Sequence, residues 1–354
     1  MTLSRRALLA GAALAGLAQA GCAASEQWRE VHLDAEPQAL TTLAGGLLVG
    51  TAGLGLQAPD GPIGVRPVTG YGREAGWLSL AAWGDRLAAV GVTRGGAHGN
   101  ARWSVFGGDR SGGVEEWEQP FDVFHGWGAG QLIGVAFAGD RPTIVGSWQS
   151  EAAGNDPSIW LLDRQRWRRR SSTGTALAST RVAMGQAHAV AGGDRLMVVG
   201  QLIDLEPLRT RAVAWTATDP AADWSRIDLP AAGSTVTAQS VAAFEGGWLV
   251  GGVDDDRVIA WTIGPDLAVS TLDLPGSLAS RPADGRPVEQ VRVAASAGGL
   301  LLGAGDGETV RTGSGRAGSW RERTAPGTDP VTAAWAATPA LITAGSGQRL
   351  FQLS

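Results

Sequence analysis

An all-β fold, a seven-bladed β-propeller of four-stranded antiparallel blades, is what this 354-residue sequence predicts from three observations. The first is one phrase that recurs seven times: a tight turn, an apolar run, then glycine. Gly84-Asp-Arg-Leu-Ala-Ala-Val-Gly91, Gly193-Asp-Arg-Leu-Met-Val-Val-Gly200 and Gly298-Gly-Leu-Leu-Leu-Gly303 are typical copies. The second turn residues are Gly46, Asp85, Asp140, Asp194, Gly247, Gly299 and Pro339, at spacings of 39, 55, 54, 53, 52 and 40. A repeat of about 50 residues of strand-type sequence marks a propeller. The second observation is a run of small residues before each phrase, such as Leu80-Ala-Ala82, Val241-Ala-Ala243 and Val293-Ala-Ala295. Strands crowd near a propeller axis, where small residues fit. The third is the tryptophans: Trp103, Trp160, Trp215 and Trp261 fall in third strands, and Trp28, Trp117, Trp167, Trp224 and Trp320 in or before fourth strands. Regular placement predicts packing between blades rather than a stacking site.

Along the chain, residues 1–21 read as a signal peptide, with a charged start, an apolar run and a small-residue boundary. The apolar run is too short for a permanent membrane span. Ser4-Arg5-Arg6-Ala7-Leu8-Leu9 resembles the twin-arginine export signal, without its usual phenylalanine and lysine. Ala20-Gly21-Cys22 resembles the end of a bacterial lipobox, where the thiol is lipidated; Gln19 replaces the usual aliphatic residue. Lipid on Cys22 would anchor the exported protein outside the cytoplasmic membrane. Read instead as an A-x-A site, Ala18-Gln19-Ala20 would release a soluble, secreted protein starting at Gly21. Cys22 is the only cysteine, so no intramolecular disulfide is available and packing must hold the fold.

Residues 22–27 form a tether, and residues 28–354 a single domain of even texture. The segment Gln27–Leu33 is a lone strand carrying a fourth-strand tryptophan. The last repeat offers only three strands, so the lone strand is expected to complete the last blade and close the ring. The fourth repeat shows the full pattern: inner strand 187–191, second 195–200, third 211–216, fourth 224–229, ended by Pro230.

Composition narrows the function classes. The 44% hydrophobic content suffices for a large core, and 53 glycines suit many tight turns. All 29 positive side chains are arginine. Net charge is −5, and loss of Arg5 and Arg6 with a signal peptide makes it 27 − 34 = −7, which argues against nucleic-acid partners. The four histidines His32, His98, His125 and His188 lack metal-ligand spacing, so no metal is expected. Asp254-Asp255-Asp256 at a hairpin tip reads as a solvated turn rather than a calcium loop. His188, among small residues of an inner strand, reads as a packed, hydrogen-bonded histidine. No nucleophile elbow, phosphate loop or cofactor motif occurs.

Two turns, Asp219-Pro-Ala-Ala-Asp-Trp224 and Thr312-Gly-Ser-Gly-Arg-Ala-Gly-Ser-Trp320, resemble worn copies of the Asp-box hairpin of sialidase-like propellers. The resemblance covers one turn in each of two blades and carries no activity with it. A sialidase-like hydrolase would need a tyrosine nucleophile and an arginine cluster. The chain has one tyrosine, Tyr71, in a connection between blades where it could face the channel, and the family's Arg-Ile-Pro phrase is absent.

The repeated turns are uniformly short, whereas the connections at the other ends of the strands are long and varied. Binding is therefore expected on the long-loop face. Phe121-Asp-Val-Phe-His-Gly-Trp127 is the most suggestive loop, with Phe121, Phe124, His125 and Trp127 in seven residues. Together with Tyr71 these form the candidate binding face, either an aromatic platform for a glycan or protein, or an apolar plug. Arg94, His98, Glu151, Asp156, Asp204, Glu206 and Arg209 could line a polar pocket nearby. The expected protein is a monomeric, lipid-anchored binding or scaffold module with no cofactor; a glycan-active hydrolase is the alternative.

Overall fold

The computed structural model describes residues 27–95, 99–126, 128–222, 224–279, 287–296, 299–306, 310–316, 319–325, 330–335, 339–343 and 348–353. Arg5, Arg6, Cys22, His98 and Trp127 lie outside the described residues.

The chain is an all-β propeller of antiparallel blades. Each sheet contributes one inner strand: Pro37–Leu43, Gly76–Trp83, Gln131–Ala138, Ala183–Ala191, Val236–Phe244, Gln290–Ser296 and Pro330–Trp335. Each inner strand packs beside the next, and Pro330–Trp335 packs beside Pro37–Leu43. Six sheets have four strands each. One of these combines the last three strands of the chain with Trp28–Val31, which pairs antiparallel with Arg349–Leu353, Trp28 opposite Leu353.

One sheet departs from the expected four strands. Val65–Arg66 adds a fifth, parallel to Gly113–Glu116. Gly113 makes this approach possible: its φ is +81°, and a β-carbon there would strike the Gly64 carbonyl. The Val114 amide donates to Gly64 O at 2.9 Å, and Arg66 pairs with Glu115 at 3.0 Å. The connection from the first sheet thus covers an edge that would otherwise be open.

The short turns follow from their residues. At Ala44–Gly45 and Glu245–Gly246 both central residues have positive φ, 49° and 79° in the first and 48° and 77° in the second. That is the primed turn whose twist matches a two-residue hairpin. At the opposite end, two expected loops are hairpin extensions instead. Leu196–Leu205 and Leu208–Ala217 stay paired to their tips, as do Arg86–Gly95 and Asn100–Asp109. Cross-strand ion pairs hold the first extension: Asp204 takes Arg209 at 3.1 Å and Arg211 at 2.7 Å, and the Arg211 bond above all keeps its carboxyl at about 2. The residues read as loop polarity are therefore strand pairs.

The third-strand tryptophans lie between sheets as expected and do a second job. Trp160, Trp215 and Trp261 are fully buried. Their indole N–H groups donate to Val123 O at 3.1 Å, Ala176 O at 3.0 Å and Pro230 O at 2.8 Å. Each acceptor lies in the connection entering that tryptophan's own blade. The repeat thus fastens the connections that carry the loop-rich face.

At the Asp-box-like turn, Asp219 accepts the Ala221 amide at 2.9 Å, and the Trp224 indole donates to Pro220 O at 3.2 Å. Asp109 makes a fuller version, accepting from the Ser111 amide and hydroxyl and from the Gly112 amide. Both are side-chain-to-backbone turns that join third to fourth strands at the short-loop end.

Candidate functional site

Strand direction puts the entry of every inner strand at the loop-rich end. Three short α-helices stand there among the described residues, and the first two, Gly70–Arg73 and Phe121–Phe124, carry the candidate side chains. Gly70–Arg73 is capped by Thr69, whose hydroxyl accepts the Gly72 amide at 2.8 Å. Glu116 holds this entry from beneath. Its buried carboxylate accepts the Val68 amide at 2.7 Å, the Thr69 amide at 2.8 Å and the Thr69 hydroxyl at 2.6 Å. The helix presents Tyr71, 43% exposed, with its ring on Gly95, where a β-carbon would come within 2.6 Å. The Arg102 guanidinium lies 5.6 Å from the Tyr71 ring centre.

The second helix, Phe121–Phe124, splits its aromatics between two roles. Phe121 is 64% exposed and stacks on His125 at 5.1 Å. Phe124 is 1% exposed and packs against Trp160 at 5.7 Å. Phe124 therefore belongs to the core, a correction to its place on the candidate binding face. Burial, then the charge of Arg102, keeps the His125 imidazole below its ordinary value, against the pull of the Phe121 carbonyl. Arg102 thus acts on both helices: it lies on the ring of Tyr71 and its charge reaches His125. The sequence reading missed it, because it sits within a strand as one of many arginines. Tyr71 is not among the described residues lining the channel, so its expected access to the channel is also corrected.

Other candidates serve the fold. Glu151 accepts from the hydroxyls of Ser171 and Thr173, both at 2.8 Å, and those bonds hold its carboxyl below the ordinary range. Asp156 is buried and accepts the Ser179 amide at 2.6 Å. Asp254 and Asp255 accept backbone amides of Gly233, Ser234 and Thr235, so this tip anchors the connection between its blade and the preceding one. No cluster of metal-binding side chains occurs among the described residues.

The channel itself carries a pattern that escaped the sequence reading. It encloses about 950 Å³. In six of the seven inner strands the pairing slips by one residue near the loop-rich end. The extra residues are Gln38, Leu78, Ile133, His188, Gln239 and Val331; the unslipped strand has none, and its Arg292 pairs with Gly303 at the place where Ser240 pairs with Gly251. A bulge re-aims a side chain, and here Gln38, Leu78, Ile133, His188, Gln239 and Arg292 line the channel. Three of them also bridge to the next inner strand. Gln38 accepts the Trp77 amide at 2.8 Å, Gln239 accepts the Val291 amide at 2.7 Å, and His188 Nδ1 stands 3.1 Å from the Ala238 carbonyl. His188 is hydrogen-bonded, as its sequence context suggests, and it also lines the channel.

With this geometry in hand, solved structures supply the comparison. Virginiamycin B lyase from Staphylococcus aureus aligns over 93% of this chain and 98% of its own, at 10% identity and a TM-score of 0.53. YCF48 bound to a D1 peptide aligns over 93% and 97%, at 8% identity and a TM-score of 0.55. The fold is a β-propeller. A Trypanosoma rangeli sialidase mutant displaying trans-sialidase activity aligns over 93% of this chain and 58% of its own, at 9% identity and a TM-score of 0.53. Identities this low establish the propeller and nothing of its chemistry. No family model matches the sequence, and no curated protein matches it either.

Proposed function

We propose that this propeller is an exported, lipid-anchored binding module that takes a protein or glycan partner on its loop-rich face. One observation carries the reading. The exposed large hydrophobic residues among those described are Val68, Tyr71, Leu78, Phe121, Val182, Leu205 and Leu208 at the loop-rich end, and Trp83 alone at the other. Apolar side chains concentrated on one end of a rigid ring favour a partner surface over random exposure. Leu208, 77% exposed, tips the hairpin extension, and Leu205 beside it is tied by its amide to Val182 O at 2.9 Å. Tyr71, Phe121 and Arg102 add the residue types that anchor interfaces. The seven-blade count takes the five-stranded sheet as the seventh blade, with Trp28–Val31 closing the ring against the last.

The test uses the purified chain on a glycan array and a displayed-peptide library. Binders recovered from either are expected to be lost in Arg102→Ala with Phe121→Ala, and kept in the short-loop-end control Trp83→Ser. Binders indifferent to the loop-end changes, or lost on the control change, would overturn the reading.

The anchor rests on Cys22 and the residues before it. A lipid anchor that holds a protein stably needs more than one acyl chain, so removing its attachment point should be decisive. Cys22→Ala is expected to move the exported protein from the membrane fraction to the soluble one. Continued membrane retention would sink the lipoprotein assignment.

A further inference from the structure

We infer that the bilayer lies at the short-loop end of the propeller and that the loop-rich face points away from it, so the partner arrives from the aqueous side and not from the membrane. The inference rests on the lipid anchor proposed above. Its basis is the place where the chain enters the ring.

That place is Trp28. Trp28–Val31 pairs with Arg349–Leu353, Trp28 opposite Leu353. Gln352, next to Leu353, lies opposite Ala340. Pro339, next to Ala340, pairs with Trp335, the last residue of the inner strand Pro330–Trp335. Inner strands end at the short-loop end, so the chain enters the ring there and Val31 points on to the loop-rich end. The entry is fastened. The Trp28 indole N–H donates at 3.1 Å to the Thr312 hydroxyl in the neighbouring sheet, and Glu30 stands 3.7 Å from Arg349.

Cys22 comes six residues before Trp28. Whatever their conformation, six residues span at most about 22 Å. The hairpin extension is longer. Leu196–Leu205 runs ten residues from the short-loop end to the tip that carries Leu205 and Leu208, about 30 Å of strand. A lipid on Cys22 therefore meets the bilayer with the short-loop end nearest to it, and is too short to let the ring turn over and press that tip into the lipid. The apolar tip is thus kept from the membrane and left to a partner.

The short-loop end adds little adhesion of its own. At that end Arg86, Arg110, Arg141 and Arg168 each stand beside a carboxylate, those of Asp140, Asp60, Asp219 and Asp163. Trp83 is its one exposed large hydrophobic residue among those described. The entry point and the tether length set the orientation, rather than attraction to anionic lipid.

The experiment couples the exported form, beginning at Cys22, through that thiol to vesicles carrying a maleimide-headgroup lipid. A clickable amino acid places a donor dye at position 140, in a short turn, or at position 208, on the hairpin tip, and a second headgroup lipid carries the acceptor. Energy transfer is expected to be about twofold or more greater from position 140, as about 30 Å of strand between the two ends implies. The difference should be the same in neutral and anionic vesicles. A flexible Gly/Ser spacer of about twenty residues between Glu26 and Gln27 should abolish it. Equal transfer from the two positions, or more from position 208, overturns the orientation. A difference that survives the spacer, or that needs anionic lipid, overturns the tether as its cause. The vesicle supplies the anchor, so this result is read separately from the membrane fractionation of Cys22→Ala, which tests the natural lipid.

Discussion

Trp215→Ala is expected to cost about 3–5 kcal/mol of stability, the range for deleting a fully buried large aromatic. The residue packs with Ile159, Val198, Val213 and Trp224 in one core cluster, so the cavity opens between two sheets. The substitution also strands the Ala176 carbonyl, which accepts the indole N–H at 3.0 Å. Trp215→Phe separates the two terms. It keeps most of the ring volume and loses the hydrogen bond, and should cost about 1–3 kcal/mol. Urea unfolding followed by far-ultraviolet circular dichroism measures both. A loss below about 1 kcal/mol for the alanine variant would show that the blades do not depend on this tryptophan. Trp160 belongs to a separate cluster, so a Trp160–Trp215 double substitution should be close to additive. The same loss should loosen the connection around Ala176, seen as faster limited proteolysis there.

The scaffold was legible because its physics repeats. A two-residue turn needs positive φ, an inner strand needs small side chains, and an inter-sheet gap needs a large one. Each requirement writes the same residues at each repeat. The fifth strand at Val65–Arg66 was hidden because it depends on one close approach, Gly113 to Gly64, that no other repeat makes among the described residues. Tyr71, Phe121 and His125 were legible as a loop-end group, but Arg102 was not, since only folding brings a strand arginine over the tyrosine ring. Phe124 shows the limit of the aromatic count. It is three residues from Phe121 on one short helix, a spacing that keeps both on the same side, yet Phe124 packs on Trp160 while Phe121 stays exposed, so what lies beneath each ring decides its role.

The channel lining was readable in principle. Aligning Gln38-Ala-Leu, Leu78-Ser-Leu, Ile133-Gly-Val, His188-Ala-Val and Gln239-Ser-Val places one variable residue ahead of a small-then-apolar pair in five repeats. A position that varies freely inside an otherwise repetitive strand is free of the packing rule. Gln38, Leu78, Ile133, His188 and Gln239 line a cavity that the scaffold itself does not need filled.

The second large effect is expected at Glu116, where fold and candidate site meet. Glu116→Ala removes an acceptor of three hydrogen bonds and leaves the part-buried Val68 and Thr69 amides without that partner. The expected loss is about 2–4 kcal/mol, since hydrogen bonds to a charged acceptor contribute about 1.5–3 kcal/mol each and part-buried donors recover some of that from water. Glu116→Gln should cost only about 1 kcal/mol. The amide oxygen can still accept both backbone N–H groups, and its NH2 can donate to the Thr69 hydroxyl, whose proton can turn away. Gly72 gives an independent approach from the other side, because a β-carbon there would strike the Glu116 carboxylate. Gly72→Ala should therefore resemble Glu116→Ala rather than an ordinary helix substitution. Glu116→Ala and Gly72→Ala loosen the entry to Gly70–Arg73, so they should also release Tyr71 from Gly95 and Arg102, whereas Glu116→Gln should not. Thermal unfolding ranks the stabilities, and the fluorescence anisotropy of Tyr71 in a background with the tryptophan signal subtracted reports the side chain. Equal stability of the alanine and glutamine variants would mean that the carboxylate is not the fastening it is taken to be. Loss of stability with Tyr71 unmoved would separate the fold from the binding face at this residue.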